Sequence, residues 1–246
     1  MRRIVITVLA ICAANLVFAQ DTTAVTRDIV KKRTAAAANI GGYDHLMLQL
    51  GYTTWNGKPD SIKTSGLPRT FNVYFMFAFP FKTNPRLSVA IGPGIATDHI
   101  FFDKTYIGIK DNTPTLAFKN VGDTTHFKKY KLSTAYLEAP VELRYTSKPE
   151  DDKNSFKVAL GAKVGTLLSA WVKGRKLADK NNNDLPSYTS KEKSKHFFNT
   201  TRLSVMGRVG YGKFSLFSSY SINTLFKEGV APDVRPMTIG LTVSGL

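Results

Sequence analysis

The residue types that could bind a metal or a redox cofactor are few and scattered in this 246-residue chain. Its histidines, His45, His99, His126 and His196, show none of the spacings that direct two imidazoles to one metal ion. The single cysteine, Cys12, excludes disulfide scaffolds, CxxC redox motifs and thiolate zinc sites. The sequence therefore predicts no metal site and no cofactor.

One histidine has a carboxylate beside it, at Asp98-His99. With a serine from a neighbouring loop, this pair could form a hydrolase or acyltransferase site acting on lipids. The other interpretation is an ordinary loop histidine. Gly92-Pro93-Gly94 is too short and too embedded in a strand pattern to bind phosphate, and it indicates a bend or a crowded position. We predict no catalytic residue and keep the lipid enzyme as an alternative.

Charged residues alternate with apolar ones along three segments that are consecutive in a strand meander. Their parity places them on one face, where acids and bases meet across strand pairs. They would either close a narrow interior with ion pairs or line a gated path for protons or ions. Because isolated buried charges are costly, we predict the closed interior and keep a small ion or solute channel as the alternative. The predicted interior charge network consists of Glu138, Glu142, Arg144, Lys157, Lys163, Arg202 and Arg208.

The elements that carry these residues are predicted to be β-strands, because apolar residues recur with a period of two from Tyr43 onward. Eight segments show this alternation, many of them long enough to cross a bilayer at a tilt. The clearest is the phenylalanine-rich stretch at 70–82. The residues predicted to face lipid are Phe71, Val73, Phe75, Phe77, Phe79, Phe81, Leu137, Val141 and Leu143.

The volume of the side chains decides which face of these strands is outside. An eight-stranded barrel encloses only its own side chains or one small ligand, and the apolar faces are too bulky for that space. The opposite faces carry small residues such as Ala90 and Gly161. Trp55, Phe102 and Trp171 lie near strand ends, where they suit either the membrane interface or packing within loops.

The connections between the predicted strands alternate between short and long. This asymmetry is typical of membrane barrels with periplasmic turns on one rim and outer loops on the other. We predict an all-β fold, an eight-stranded antiparallel up-and-down transmembrane β-barrel.

The first nineteen residues have the pattern of a cleaved export signal. Arg2 and Arg3 precede a short apolar core, and small residues follow before Gln20. We predict a signal peptide at 1–19, a periplasmic N-terminal lead-in at 20–42 and an outer-membrane barrel domain at 43–246.

The chain is strongly basic, with 34 Lys and Arg against 18 Asp and Glu and a formal net charge of +16. An exported barrel does not meet nucleic acid, so we predict no nucleic-acid partner. The basic connections at 98–131 and 173–196 would instead meet lipopolysaccharide phosphates in the outer-membrane lipid, or an acidic envelope protein. A plain solvated surface is the other interpretation.

One strand resembles a known family. Tyr136-Leu137-Glu138, followed by Pro140 and Tyr145, is similar to the YLE-x-P-x-x-x-x-Y strand of PorT-like outer-membrane β-barrel proteins. The likeness extends over residues 43–246 and implies an eight-stranded barrel of the OmpA-like size class in the outer membrane of a Gram-negative bacterium. The name-giving member belongs to a protein secretion and gliding machinery. The resemblance therefore implies a non-enzymatic structural or accessory component of an envelope or protein-secretion assembly.

Overall fold

A computed structural model describes residues 46–186 and 188–245 of the chain. The predicted signal peptide at 1–19 and lead-in at 20–42 lie outside the described residues. Within the described part, strands dominate, and no helix there is both long and apolar enough to cross a membrane. The strands are β1 (Leu46–Asn56), β2 (Arg69–Phe75), β3 (Phe77–Pro80), β4 (Leu87–Ile91), β5 (Gly94–Phe102), β6 (Thr105–Ile107), β7 (Phe118–Asn120), β8 (His126–Thr146), β9 (Phe156–Ala178), β10 (Ser190–Lys193), β11 (Thr201–Tyr211), β12 (Phe214–Ser221) and β13 (Arg235–Ser244).

The main sheet closes on itself. Its hydrogen-bonded order is β9-β11-β12-β13-β1-β2-β5-β8, and β8 pairs again with β9 to complete the ring. Along the chain, β2 and β3 form one barrel strand broken only at Met76, and β4 and β5 form another broken at Gly92-Pro93. The ring therefore has eight antiparallel strands, and the predicted fold class is confirmed.

Two glycines explain how the broken strand stays close to its neighbour. A Cβ at Gly92 would overlap the carbonyl oxygen of Phe75, and one at Gly94 would overlap the Tyr74 ring and the Val73 carbonyl oxygen. The absence of side chains lets the backbones meet at this point. The motif is thus a crowded bend in the barrel wall, as the sequence indicated.

The connections differ sharply between the two ends of the barrel. Segments 81–86, 147–155 and 212–213 are short and define what we call the turn rim. Segments 57–68, 103–125, 179–200 and 222–234 are longer, carry β6, β7 and β10, and define the loop rim. This is the alternation that the sequence predicted.

Alternate residues of the strands point to opposite sides of the wall. The outer surface between the rims is apolar and exposed, from Leu50 (63%) on β1 through Leu160 (66%) on β9 to Leu241 (59%) on β13. Burial of the intervening residues shows that the polar and small side chains face the interior. We call this exposed outer surface the apolar band.

A second apolar cluster lies inside the barrel toward the loop rim, and we call it the loop cap. Residues from the strand interiors, such as Trp55 and Phe102, pack there against residues from the loops and their short strands. The interpretation of Trp55 and Phe102 as membrane-interface residues is therefore wrong, because both are buried in this cluster. The loop contribution consists of Ile62, Ile107, Ile109, Leu116, Phe197, Phe198, Leu225, Phe226 and Val234.

Candidate functional site

The interior charge network is centred on Arg202, which β11 directs into the barrel. Its Nε and Nη2 atoms donate to Glu138 Oε1 at 2.8 and 2.5 Å, and its Nη1 donates to Asp98 Oδ2 at 2.5 Å. The guanidinium also lies 4.0 Å from the centroid of the Tyr136 ring. One cation thus links two acids from β5 and β8 and stacks on an aromatic ring, an arrangement for which the planar guanidinium is suited.

The second oxygen of Glu138 is also occupied. Its Oε2 accepts a hydrogen bond of 2.5 Å from the Tyr74 hydroxyl and lies 3.6 Å from Lys163 Nζ. Glu138 is 2% exposed, so its charge is removed from water and compensated entirely by these neighbours. Asp98 is held in turn by the Thr70 hydroxyl, which donates to Oδ1.

A second layer of charges lies nearer the turn rim. Glu142 Oε2 accepts from Arg144 Nε at 2.6 Å and from Arg208 Nη2 at 3.0 Å. Lys157 is buried in the same interior. Glu142 Oε1 and Arg208 Nε have no hydrogen-bond partner within the described residues.

Part of the remaining interior wall is polar but uncharged, and Met47, Met76 and Ala90 form a small apolar cluster beside it. Asn72 donates to Gln49 Oε1 at 3.1 Å, and Gln49 donates to Thr242 Oγ1 at 3.2 Å. Thr53 lies 2.9 Å from Thr238, hydroxyl to hydroxyl. These side chains from β1, β2 and β13 bond to one another across the strands, which pairs most of their buried polar atoms.

Little space remains between the charge network and the loop cap. The cavity there, lined among others by Thr53, Trp55, Asp98 and Leu132, has a volume of about 10 Å³. A site of that size holds about one water molecule. Among the described residues, the arrangement can therefore hold charges in fixed positions, and this cavity is too small for a hydrated ion.

The structure does not assemble Asp98 and His99 into one site. Asp98 points inward to Arg202, whereas His99, the next residue of the strand, points outward. His99 Nδ1 lies 2.8 Å from Ser133 Oγ, but Ser133 is 0% exposed, so its hydroxyl is closed to a substrate.

The other histidines form no metal site within the part of the chain that the structure describes. No group of three or more His, Cys, Asp or Glu side chains converges there. His126 is buried with Nδ1 3.0 Å from the Thr124 carbonyl oxygen, and His196 packs edge-on against Phe197.

Comparison with known families agrees with this architecture. The family described as "Outer membrane protein beta-barrel domain" matches residues 34–227, most of the chain. The chain belongs to this family. It is therefore an outer-membrane β-barrel protein, and its closed ring of eight strands is the family's barrel domain.

The solved structures that the chain matches are distant in sequence. Ail, the attachment invasion locus protein of Yersinia pestis, is 14% identical in its complex with the heparin analogue sucrose octasulfate. That match covers 82% of this chain and 97% of Ail with a TM-score of 0.34. The translocator domain of the autotransporter NalP from Neisseria meningitidis is 10% identical, covering 88% and 94%, with a TM-score of 0.17. No curated protein matches the sequence.

The structure places every residue of the predicted charge network in the barrel interior and brings most of them into contact. Sequence reasoning missed Asp98 as a member, although the residue shares its parity with the interior residues Ala90 and Ala96. It also missed Tyr74, which carries the same parity on β2. Strand parity therefore predicts an inward Asp98. The Asp98-His99 sequence suggested a catalytic pair instead, but adjacent residues of a strand point to opposite sides of the wall.

The residues predicted to face lipid all lie on the outside of the barrel. Val73 is half-buried, and the others are exposed by 39 to 52%. Phe71, Phe75, Phe77, Phe79 and Phe81 form one column along the wall.

Proposed function

We propose that the protein is a sealed, non-enzymatic outer-membrane barrel that serves as a structural or accessory component of an envelope or protein-secretion assembly. The observation that carries this proposal is the filled interior, in which the charge network lies beneath the loop cap. An interior occupied by paired charges and apolar side chains supports a wall rather than a pore.

The buried ion pairs make opening of the barrel interior energetically unfavourable. Moving Arg202 away would leave Glu138 without its main partner in a space that excludes water, which is strongly unfavourable. A gated path would need these groups to exchange partners through hydrated space, and the cavity beside them has a volume of about 10 Å³. A small ion or solute channel is the alternative function, and a conductance measurement distinguishes it from the sealed barrel.

The apolar band on the outside of the barrel supports a location in a membrane. In the outer membrane of a Gram-negative bacterium the apolar band would contact lipid, and the basic loop rim would meet lipopolysaccharide phosphates or an envelope protein. The export signal at 1–19 would deliver the chain and be removed. The PorT-like strand at 136–145 supports the finer assignment to a secretion assembly.

The first test is conductance. We expect no steady single-channel current from the purified, refolded protein in a planar bilayer, because the interior offers no continuous water path. Folded insertion is checked in the same preparation by the heat-modifiable electrophoretic mobility that barrels show. Steady unitary currents from folded protein would replace the sealed barrel with the channel.

The second test concerns the assembly. In a strain that lacks this protein, we expect secreted proteins to accumulate inside the cell while the outer membrane still excludes hydrophobic dyes. Complementation with the full chain should restore secretion. If secretion is unchanged in the deletion strain, the accessory role in secretion is wrong, and dye entry would then point to a structural role in the envelope.

A further inference from the structure

A row of cations crosses the outer wall just beyond the apolar band, toward the loop rim. Strand register places Phe101, Lys131, Lys173 and Lys191 side by side on β5, β8, β9 and β10. The row beneath it runs through Arg69, His99, Ser133, Trp171 and Lys193. Neither row contains an acid, so the cations on this surface face one another without compensation.

Two aromatic side chains in these rows, Phe101 and Trp171, make cation–π contacts with the neighbouring cations. Arg69 and Lys131 lie 5.7 and 5.8 Å from the centroid of the Phe101 ring, and Lys191 lies 5.6 Å from that of Trp171. Aromatic rings with adjacent cations are typical of the membrane–water interface.

An apolar groove begins directly beneath the cations. It has a volume of about 580 Å³ and is lined mainly by Phe71, Phe75, Pro93, Ile95 and Leu137. The groove lies at the break between β4 and β5, where Pro93 occupies an outward position that carries a large apolar side chain elsewhere on the strand.

The groove is continuous with the cation row along two strands. Phe71 is two residues from Arg69 on β2, and Thr97, at the upper end of the groove, is two residues from His99 on β5. The Thr97 hydroxyl donates to the Phe71 carbonyl oxygen at 2.8 Å, so its proton is already bonded within the wall. A molecule that fits both parts must carry an anion at one end and a hydrocarbon chain at the other.

We propose that this surface is a binding site for one phosphorylated lipid of the outer leaflet, with a phosphate on the cation row and an acyl chain in the groove. The site rests on the outer-membrane setting of the proposed function and assigns one lipid to one place on the outer wall, independently of the sealed interior. The cations favour a ligand that carries a phosphate. The groove binds an acyl chain of the same molecule, so this lipid exchanges more slowly than the surrounding lipids. A soluble polyanion would use the cations and leave the groove empty.

The test is native mass spectrometry of the full-length protein, refolded in detergent and titrated with lipid A. Wild-type protein should retain one lipid A. The variant Arg69→Gln/Lys131→Gln/Lys173→Gln should bind it roughly a hundredfold more weakly, since each cation near an anionic lipid contributes about a factor of five. The matched control, Lys82→Gln/Lys148→Gln/Lys213→Gln, removes the same charge from the turn rim and should bind as wild type does.

The groove is tested separately by filling it. Thr97→Trp should reduce lipid A retention about tenfold or more by occupying the acyl site. Ala162→Trp, on the outer face of β9 away from the groove, should leave retention unchanged. Heat-modifiable mobility shows that each variant is folded, so a loss of lipid reports on the site.

Two results would overturn the proposal. One is equal retention of lipid A by wild type and by either the cation variant or Thr97→Trp, which would mean that the lipid is not held here. The other is displacement of lipid A by an equimolar amount of pyrophosphate, with Thr97→Trp binding pyrophosphate normally, which would identify a site for free anions. Failure of this test leaves the conductance result of the sealed barrel unaffected.

Discussion

Glu138→Gln should lower the free energy of unfolding by about 3–5 kcal/mol, the range found when one partner of a buried ion pair is removed. Arg202 would keep Asp98, but its bonds of 2.8 and 2.5 Å to Glu138 Oε1 would end on a neutral amide oxygen in place of a carboxylate, so its charge would lose half of its compensation. Lys163 would lose the carboxylate 3.6 Å away. Glutamine preserves the shape of the side chain, so the change isolates the charge. Urea titration of the barrel in vesicles, followed by tryptophan fluorescence, measures it.

Two further variants make the result specific. Glu150→Gln removes an exposed acid from the turn rim and should change stability by less than about 0.5 kcal/mol. Glu138→Gln combined with Lys163→Met removes the acid together with the cation 3.6 Å from it and leaves the Arg202–Asp98 pair in place, so it should be more stable than Glu138→Gln alone. Equal effects of Glu138→Gln and Glu150→Gln would show that the interior charges are not paired as described.

The barrel could be predicted from the sequence because two simple constraints agree along each strand. Side chains alternate with a period of two, and bulky apolar residues do not fit within an eight-stranded ring. Parity alone then assigns Glu138 to the interior and Leu137 to the outside. The same parity, followed two residues past Ala96, would also have placed Asp98 inside.

Strands β8 and β9 extend farther toward the loop rim than the sequence pattern indicated. A β-bulge in β9 explains why the alternation did not reveal this extension. In the pairing of β8 with β9, Ala135 lies opposite Ser169 and Tyr136 opposite Leu167, so Leu168 is an extra residue. On β9 the buried positions are odd-numbered up to Leu167 and even-numbered from Ala170. A shift of one residue exchanges the two faces of the strand, so the alternation of apolar and polar residues is interrupted in the sequence at this point.

Beyond the bulge the polarity of the wall is also reversed. Near the turn rim the outside is apolar and the inside is charged, whereas near the loop rim Lys131 and Lys173 lie outside while Leu132 and Val172 pack inside. This reversal follows from the loop cap, which supplies apolar partners such as Phe198 and Phe226 from distant segments. Contacts of that range have no signature in local periodicity, so neither the cap nor the lipid groove could be derived from the sequence.

Phe77→Arg should cost about 2–4 kcal/mol of stability in a lipid bilayer, the penalty for a cation on the lipid face near the midplane of a barrel. Phe77 lies on the outside of β3, 39% exposed, in the middle of the column that runs from Phe71 to Phe81. Its ring packs against that of Phe75, with centroids 5.1 Å apart. Arginine there would carry its charge into hydrocarbon. Urea unfolding of the refolded barrel in vesicles measures the difference.

Depth supplies the control for this experiment. Phe81 is 43% exposed on the same column but lies at the turn rim, so Phe81→Arg should cost only about 0–1 kcal/mol near the membrane interface. Loss of packing against a neighbouring ring would not depend on depth in this way, whereas transfer of a charge into hydrocarbon does. A neutral Phe77→Arg, or equal costs at the two positions, would mean that this phenylalanine column does not span the bilayer. The apolar band would then require another explanation.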